Sequence, residues 1–207
     1  MLLCLVGTSI GASQPNIVFV HVDDLGWQDT SVPMHETVTE LNERYRTPSM
    51  QRLADSGVVL TSNYAAAPVC TPSRTSLMTG QAPARTHITY WTLHRDQDTS
   101  RAHPYLQAPD WNMNGLHEED VTLPLLLHRA GYRTIHVGKA HLGAHDTSGA
   151  DPTRLGFDVN IAGHASGAPG SYLGIHRFMN TKNPQRFEPS SVWDVPGLED
   201  WHDQDIY

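Results

Sequence analysis

The chain has 207 residues, 39% of them apolar and 17% charged, with a formal net charge of −8. That size and balance suit a globular protein with one substantial core. The acidic surplus excludes a nucleic-acid binder, which needs a basic face, and no stretch is long and apolar enough to span a bilayer.

Residues 1–13 hold an apolar run, Leu2 to Val6, followed by Gly11-Ala12-Ser13. This reads as a shortened secretory signal with a cleavage site before Gln14, although the usual positive start is missing. It predicts a periplasmic or secreted protein, with a cytoplasmic one left open. Cys4 falls in that leader, so the mature chain holds Cys70 alone and no intrachain disulfide framework is expected.

Asn16-Ile17-Val18-Phe19-Val20-His21-Val22 is a nearly continuous β-branched and aromatic run, which predicts a strand buried on both faces and ending at Asp23-Asp24-Leu25-Gly26. Thr47-Pro48 supplies an N-cap followed by proline at the first helical position. Met50, Leu53 and Ala54 continue at helical spacing, and Gly57 closes the helix. Val58-Val59-Leu60-Thr61 is a second strand candidate, feeding a loop that delivers Cys70.

Residues 85–120 show no clear period and are rich in His, Trp, Asp and Pro, as expected of a long active-site loop or insertion. Thr122-Leu123-Pro124 starts another helix, stopped at Gly131. Residues 132–137 form a third strand, ending at Gly138-Lys139-Ala140-His141. From about Asp146 onward Gly, Pro, Ser and Asn dominate and predict loop. Alternating strands and helices imply a largely parallel α/β sheet, in which ligands gather at the carboxyl ends of strands. Asp23-Asp24 and Lys139/His141 both fall at such ends. The thirteen histidines are scattered, and Gly143 interrupts the i,i+4 pair His141 and His145, so no zinc site is expected from them.

Cys70 opens the run Cys70-Thr71-Pro72-Ser73-Arg74-Thr75-Ser76-Leu77-Met78-Thr79-Gly80. It places a nucleophile at a helix start, where backbone N–H groups favour an anion, with an arginine one turn further on. The run resembles the sulfatase signature Cys-x-Pro-Ser-Arg-x-x-Leu-x-Thr-Gly and matches all seven of its fixed positions. Gly131-Tyr132-x-Thr134-x-x-x-Gly138-Lys139-x-His141 is similar to a second sulfatase signature, with Ala140 where many relatives have tryptophan.

The resemblance implies an alkaline-phosphatase-like α/β fold, a largely parallel sheet flanked by helices, with residues 14–207 as the N-terminal part of the sulfatase catalytic domain. It implies a formylglycine-generating maturation enzyme as partner, which oxidises Cys70 to an aldehyde that hydrates to a geminal diol. It assigns Asp23, Asp24 and the modified Cys70 to a divalent cation, usually Ca²⁺ with Mg²⁺ possible, in keeping with the preference of carboxylates for hard cations. Arg74 and Lys139 would bind the sulfate of a sulfated small molecule or carbohydrate. His141 would help deprotonate the second diol hydroxyl as sulfate leaves. The implied activity is sulfuric ester hydrolysis. Two alternatives stand beside it, an inert sulfatase fragment and a phosphonate or phosphate monoester hydrolase of the same superfamily. Further family residues belong downstream, and Asp200, His202 and Asp203 do not fit their pattern.

Overall fold

The computed structural model describes residues 14–168. They divide into two compact units, one ending at Ser62 and one beginning at Asn63. The leader and the residues near Asp200 lie outside the described range.

The N-terminal unit carries helices α1 (Glu40–Arg44) and α2 (Pro48–Ser56). α1 starts with a reciprocal cap. Asn42 N–H donates to Thr39 Oγ1 at 3.3 Å, and Thr39 N–H donates to Asn42 Oδ1 at 3.1 Å. The buried Asn42 side chain also donates to the Thr30 carbonyl at 2.8 Å, tying the helix to the preceding loop. α2 begins after Thr47 with proline in its first turn and ends at Gly57, as its sequence predicts. Thr47 does not cap α2 through its side chain, because its Oγ1 accepts the Ser31 N–H at 2.9 Å instead.

Two expected strands are corrected here. Residues 16–22 form no strand, and Ile17, Val18, Phe19 and Val20 are between 58% and 86% exposed. Residues 58–61 likewise form no strand, and Val58 and Leu60 are exposed. Composition gives these segments β propensity, but a strand is held by a neighbour's N–H and C=O groups. Neither run has such a ladder among the described residues.

The second unit holds α3 (Cys70–Thr79), α4 (Pro83–Thr86), α5 (Leu123–Arg129), and the strands β1 (Ile135–Val137) and β2 (Val159–Ile161). α3 packs on α4 and α5. β1 and β2 pair in parallel, with Ile135 opposite Val159, His136 opposite Asn160 and Val137 opposite Ile161. β1 is the predicted third strand, shortened at its start. β2 lies in a stretch read from sequence as loop. The ladder begins at a side-chain lock in which Asp158 Oδ2 accepts the Thr134 N–H at 2.8 Å and Thr134 Oγ1 donates to the Gly156 carbonyl at 2.8 Å. α5 is capped by fully buried Thr122, whose Oγ1 accepts from Leu125 N–H at 3.3 Å and donates to the Leu155 carbonyl at 2.5 Å.

The core cluster is Ile88, Leu116, Ala140, Leu142 and Leu155, with Met78 of α3 against it. Its centre is the segment after β1. Gly138 N–H donates to Ile161 O at 2.9 Å and His141 N–H to His164 O at 3.0 Å. On the other side Leu142 O receives Leu116 N–H at 2.9 Å, and Ala144 N–H donates to Asn114 O at 2.9 Å. Three backbone passes come very close here. A Cβ on Gly149 would run into the Leu116 carbonyl oxygen, and one on Gly143 would stand 2.5 Å from the Gly149 carbonyl carbon.

Gly149→Ala is therefore expected to destabilise the protein by about 1–3 kcal/mol through overpacking. Gly80→Ala, in open space at φ 67° beyond α3, should cost only the left-handed backbone penalty, about 1–2 kcal/mol. Urea unfolding of both variants checks this, and a harmless Gly149→Ala would refute the close packing. The Asp158 carboxyl is held below its ordinary range, first by the Thr134 backbone hydrogen bond and also by His128. A depressed folded pKa means that its contribution is present above the unfolded carboxylate pKa and is lost as pH falls through the folded value. Asp158→Asn should flatten the acid side of the stability curve, measured as unfolding midpoint against pH between about 2 and 5.

Candidate functional site

Cys70 is the first residue of α3, after Val69 in extended conformation. Pro72 is tolerated in this first turn because its missing N–H would have no helical acceptor there. The helix closes at Gly80, whose N–H donates to Ser76 O at 2.8 Å. Cys70 is half-buried at the positive end of the helix dipole. The following Thr71, Pro72, Arg74, Thr75 and Ser76 are all buried.

Arg74 is 8% exposed, and its Nη1 donates to the Lys139 backbone carbonyl at 2.7 Å. This bond fastens α3 to the segment that follows β1. Gly138, at φ 90°, turns the chain out of the strand, and half-buried Lys139 comes next. His141 is 2% exposed and adopts φ 51°, which turns its side chain away from the strand's ordinary alternation. Its Nε2 lies 2.7 Å from the Thr92 carbonyl. A carbonyl can only accept, so Nε2 carries the proton and Nδ1 is the basic nitrogen of the neutral ring.

Thr92 closes the circuit. It is fully buried, and its N–H donates to Thr71 Oγ1 at 3.2 Å while its carbonyl receives His141. One peptide segment thus joins the residue after Cys70 to His141. Sequence reasoning missed Thr92, and no side-chain pattern could have revealed it, since both contacts use its backbone.

Four of the sequence-selected residues, Cys70, Arg74, Lys139 and His141, are thus assembled in the second unit by two polar links. Asp23 and Asp24 belong to the N-terminal unit, at an exposed turn where Asp24 has φ 55°. Among the described residues no group of three or more His, Cys, Asp or Glu side chains gathers as a metal site. His145 is engaged by its own neighbour, Asp146 N–H donating to His145 Nδ1 at 3.0 Å.

The aromatic residues of the long loop pack largely on each other. Tyr90 meets Trp111 edge-on with ring centres 6.4 Å apart, and buried Trp111 donates its indole N–H to Asp98 at 3.1 Å. Asp98 is held below the ordinary carboxylate range, chiefly by the Ser100 backbone N–H. Residues 98–113 of this loop line a cavity of about 540 Å³ that includes Arg101, His103 and Trp111.

The Sulfatase family model matches residues 15–180. Steryl-sulfatase of Homo sapiens is 38% identical over 154 residues, which cover 72% of this chain and 24% of the relative. N-acetylgalactosamine-6-sulfatase of Canis lupus familiaris is 33% identical over 165 residues, covering 76% of this chain and 28% of the relative. The chain thus spans about a quarter of the length of the curated relatives it matches. Among solved structures, the crystal structure of Ps i-CgsB superposes with a TM-score of 0.61 at 25% identity, covering 89% of this chain and 36% of that one. The short parallel pair with flanking helices is therefore part of a known α/β architecture. With both signature segments folded against each other inside the matched range, the chain belongs to the sulfatase family.

Proposed function

We propose that this protein is a sulfuric ester hydrolase whose nucleophile is a formylglycine made from Cys70 by a maturation enzyme. The observation that carries the reading is the 2.7 Å bond from Arg74 to the Lys139 carbonyl, which brings the two signature segments together around the start of α3. Relatives named for steryl and N-acetylgalactosamine sulfates support a sulfate ester as substrate and leave its alcohol open, a small molecule or a carbohydrate. Export to the periplasm or exterior is part of the same proposal.

Asp23 and Asp24, with the modified Cys70, would hold the divalent cation, Ca²⁺ or Mg²⁺. Adjacent carboxylates are the right donor type for such a hard ion and supply some of the roughly six to eight oxygens calcium takes. When bound, the ion neutralises sulfate charge and acidifies an oxygen attached to it. The chain's own residues do the rest. At 8% exposure, the field of the Arg74 guanidinium on an anion would be weakly screened by water. Lys139, which follows the Gly138 turn and whose backbone carbonyl Arg74 holds, would add a second positive charge on the ester oxygens. The two offset the repulsion that a sulfate presents to an oxygen nucleophile. His141, fixed by Thr92 with Nδ1 as its basic nitrogen, accepts a hydroxyl proton in the step that releases sulfate. A thiol could not complete that release, because it offers no second hydroxyl to re-form a carbonyl, which is why Cys70 must be oxidised first.

Peptide mass spectrometry after co-expression with a formylglycine-generating enzyme tests the proposal directly. The peptide bearing Cys70 is expected to have exchanged its thiol for an aldehyde, and a wholly unmodified thiol under those conditions would defeat the reading. Arg74→Lys is expected to lower kcat/KM for an aryl sulfate by about 10²–10³. Lysine keeps the charge but lacks the planar fork that can hold the Lys139 carbonyl and an anion together. Activity within a few-fold of wild type would remove Arg74 from the anion site.

A further inference from the structure

Residues 162–168, which follow β2, come back onto His141. Ala162, at φ 67°, turns the chain out of the strand. Asn160 clamps the bend, its Oδ1 accepting the Gly163 N–H at 3.0 Å and its Nδ2 donating to the Gly163 carbonyl at 2.8 Å. The His164 carbonyl then accepts the His141 N–H at 3.0 Å, which ties this pass to the histidine's own backbone. Ser166, buried, donates its N–H to His164 Nδ1 at 3.1 Å and its hydroxyl to the Ala168 carbonyl at 2.7 Å. Between those two anchors Gly167 lies against the imidazole. A Cβ on Gly167 would stand 2.8 Å from His141 Cε1, 2.9 Å from Nδ1 and 3.6 Å from Nε2. Its φ is outside the left-handed region, so the backbone there accepts an L side chain and the ring is what excludes one.

We propose that Gly167 is a positioning residue for His141, whose missing side chain lets the imidazole keep Nε2 on the Thr92 carbonyl. The ring sits between two passes, the Thr92 carbonyl 2.7 Å from Nε2 and Gly167 at the Cε1–Nδ1 side. Neither yields cheaply, because the Thr92 N–H is held by Thr71 Oγ1 and the other pass is bonded to His141 itself. A methyl at Gly167 is far inside ordinary contact distance, so it pushes the ring off Thr92. The tautomer with Nδ1 as its basic nitrogen is then no longer fixed. The catalytic consequence rests on the proposed role of His141 in sulfate release, and the packing does not.

Gly167→Ala in the full chain tests this by nitrogen NMR of the His141 ring. Wild type is expected to carry its proton on Nε2 alone, and the variant to show both tautomers. A variant ring still protonated only at Nε2 overturns the proposal. Urea unfolding gives a second measure. Gly167→Ala is expected to lower the midpoint in wild type and to cost little in a His141→Ala background, where the ring it meets is gone. An equal loss in both backgrounds overturns the proposal. Should Gly167→Ala alone not fold, the double variant is expected to recover the fold, and its failure to do so overturns the proposal equally. With an aryl sulfate, slowing the release step alone lowers kcat and KM together by about 10², the low end of what a positioned base contributes. It leaves kcat/KM within a few-fold and gives a burst of aryl alcohol in the first turnover. A fall in kcat/KM without a burst marks general damage and counts against the positioning role. Absence of turnover by wild type counts against the proposed activity, while the ring spectrum and the unfolding cycle still decide the part played by Gly167.

Discussion

The hydrogen bond from Arg74 Nη1 to the Lys139 carbonyl ties α3 to the segment after β1. Burying a guanidinium costs a great deal unless its N–H groups find acceptors, and the Lys139 peptide supplies one to Arg74, which is 8% exposed. Hydrogen bonds from charged donors contribute about 1.5–3 kcal/mol, and losing the acceptor leaves a larger penalty behind. The constraint works in both directions. It fixes the helix that carries Cys70, and it fixes the turn at Gly138 from which Lys139 and His141 emerge. Packing reinforces it, because Ala140 and Leu142, on either side of His141, are members of the core cluster with Ile88, Leu116 and Leu155.

Thr92 supplies the second constraint by a different economy of groups. Both of its backbone polar atoms are committed, one to Thr71 and one to His141, so no buried peptide group is left to be satisfied there. The long loop of residues 85–120 thus reaches the site through Thr92, and its irregular course is held by side-chain bonds and ring contacts, Tyr90 against Trp91 and Trp111 on Asp98 among them.

How much could be read in the sequence follows from which forces are local. The helix after Thr47, the helix after Thr122 and the short strand before Gly138 are punctuated by proline, caps and glycine, and these signals act within a few residues. Cys70 at a helix start and Lys139 and His141 past a strand end were legible for the same reason. The strands expected at residues 16–22 and 58–61 were not secured by composition, since a ladder requires a neighbour that propensity does not provide. β2 was hidden in a Gly- and Asn-rich stretch, and it exists because Asp158 and Thr134 lock its start to β1. Thr92 was invisible because its importance lies in what its backbone touches across the fold.

The overall charge of −8 opposes the anionic substrate proposed above. The opposition is weak for a physical reason. Exposed carboxylates act through water and salt, and beyond about 10 Å their field is largely screened. Arg74, at 8% exposure, would act on the anion of the proposed substrate from inside, where the effective dielectric is several times lower. The N-terminal end of α3 adds a fixed positive dipole. Local placement therefore outweighs the sum.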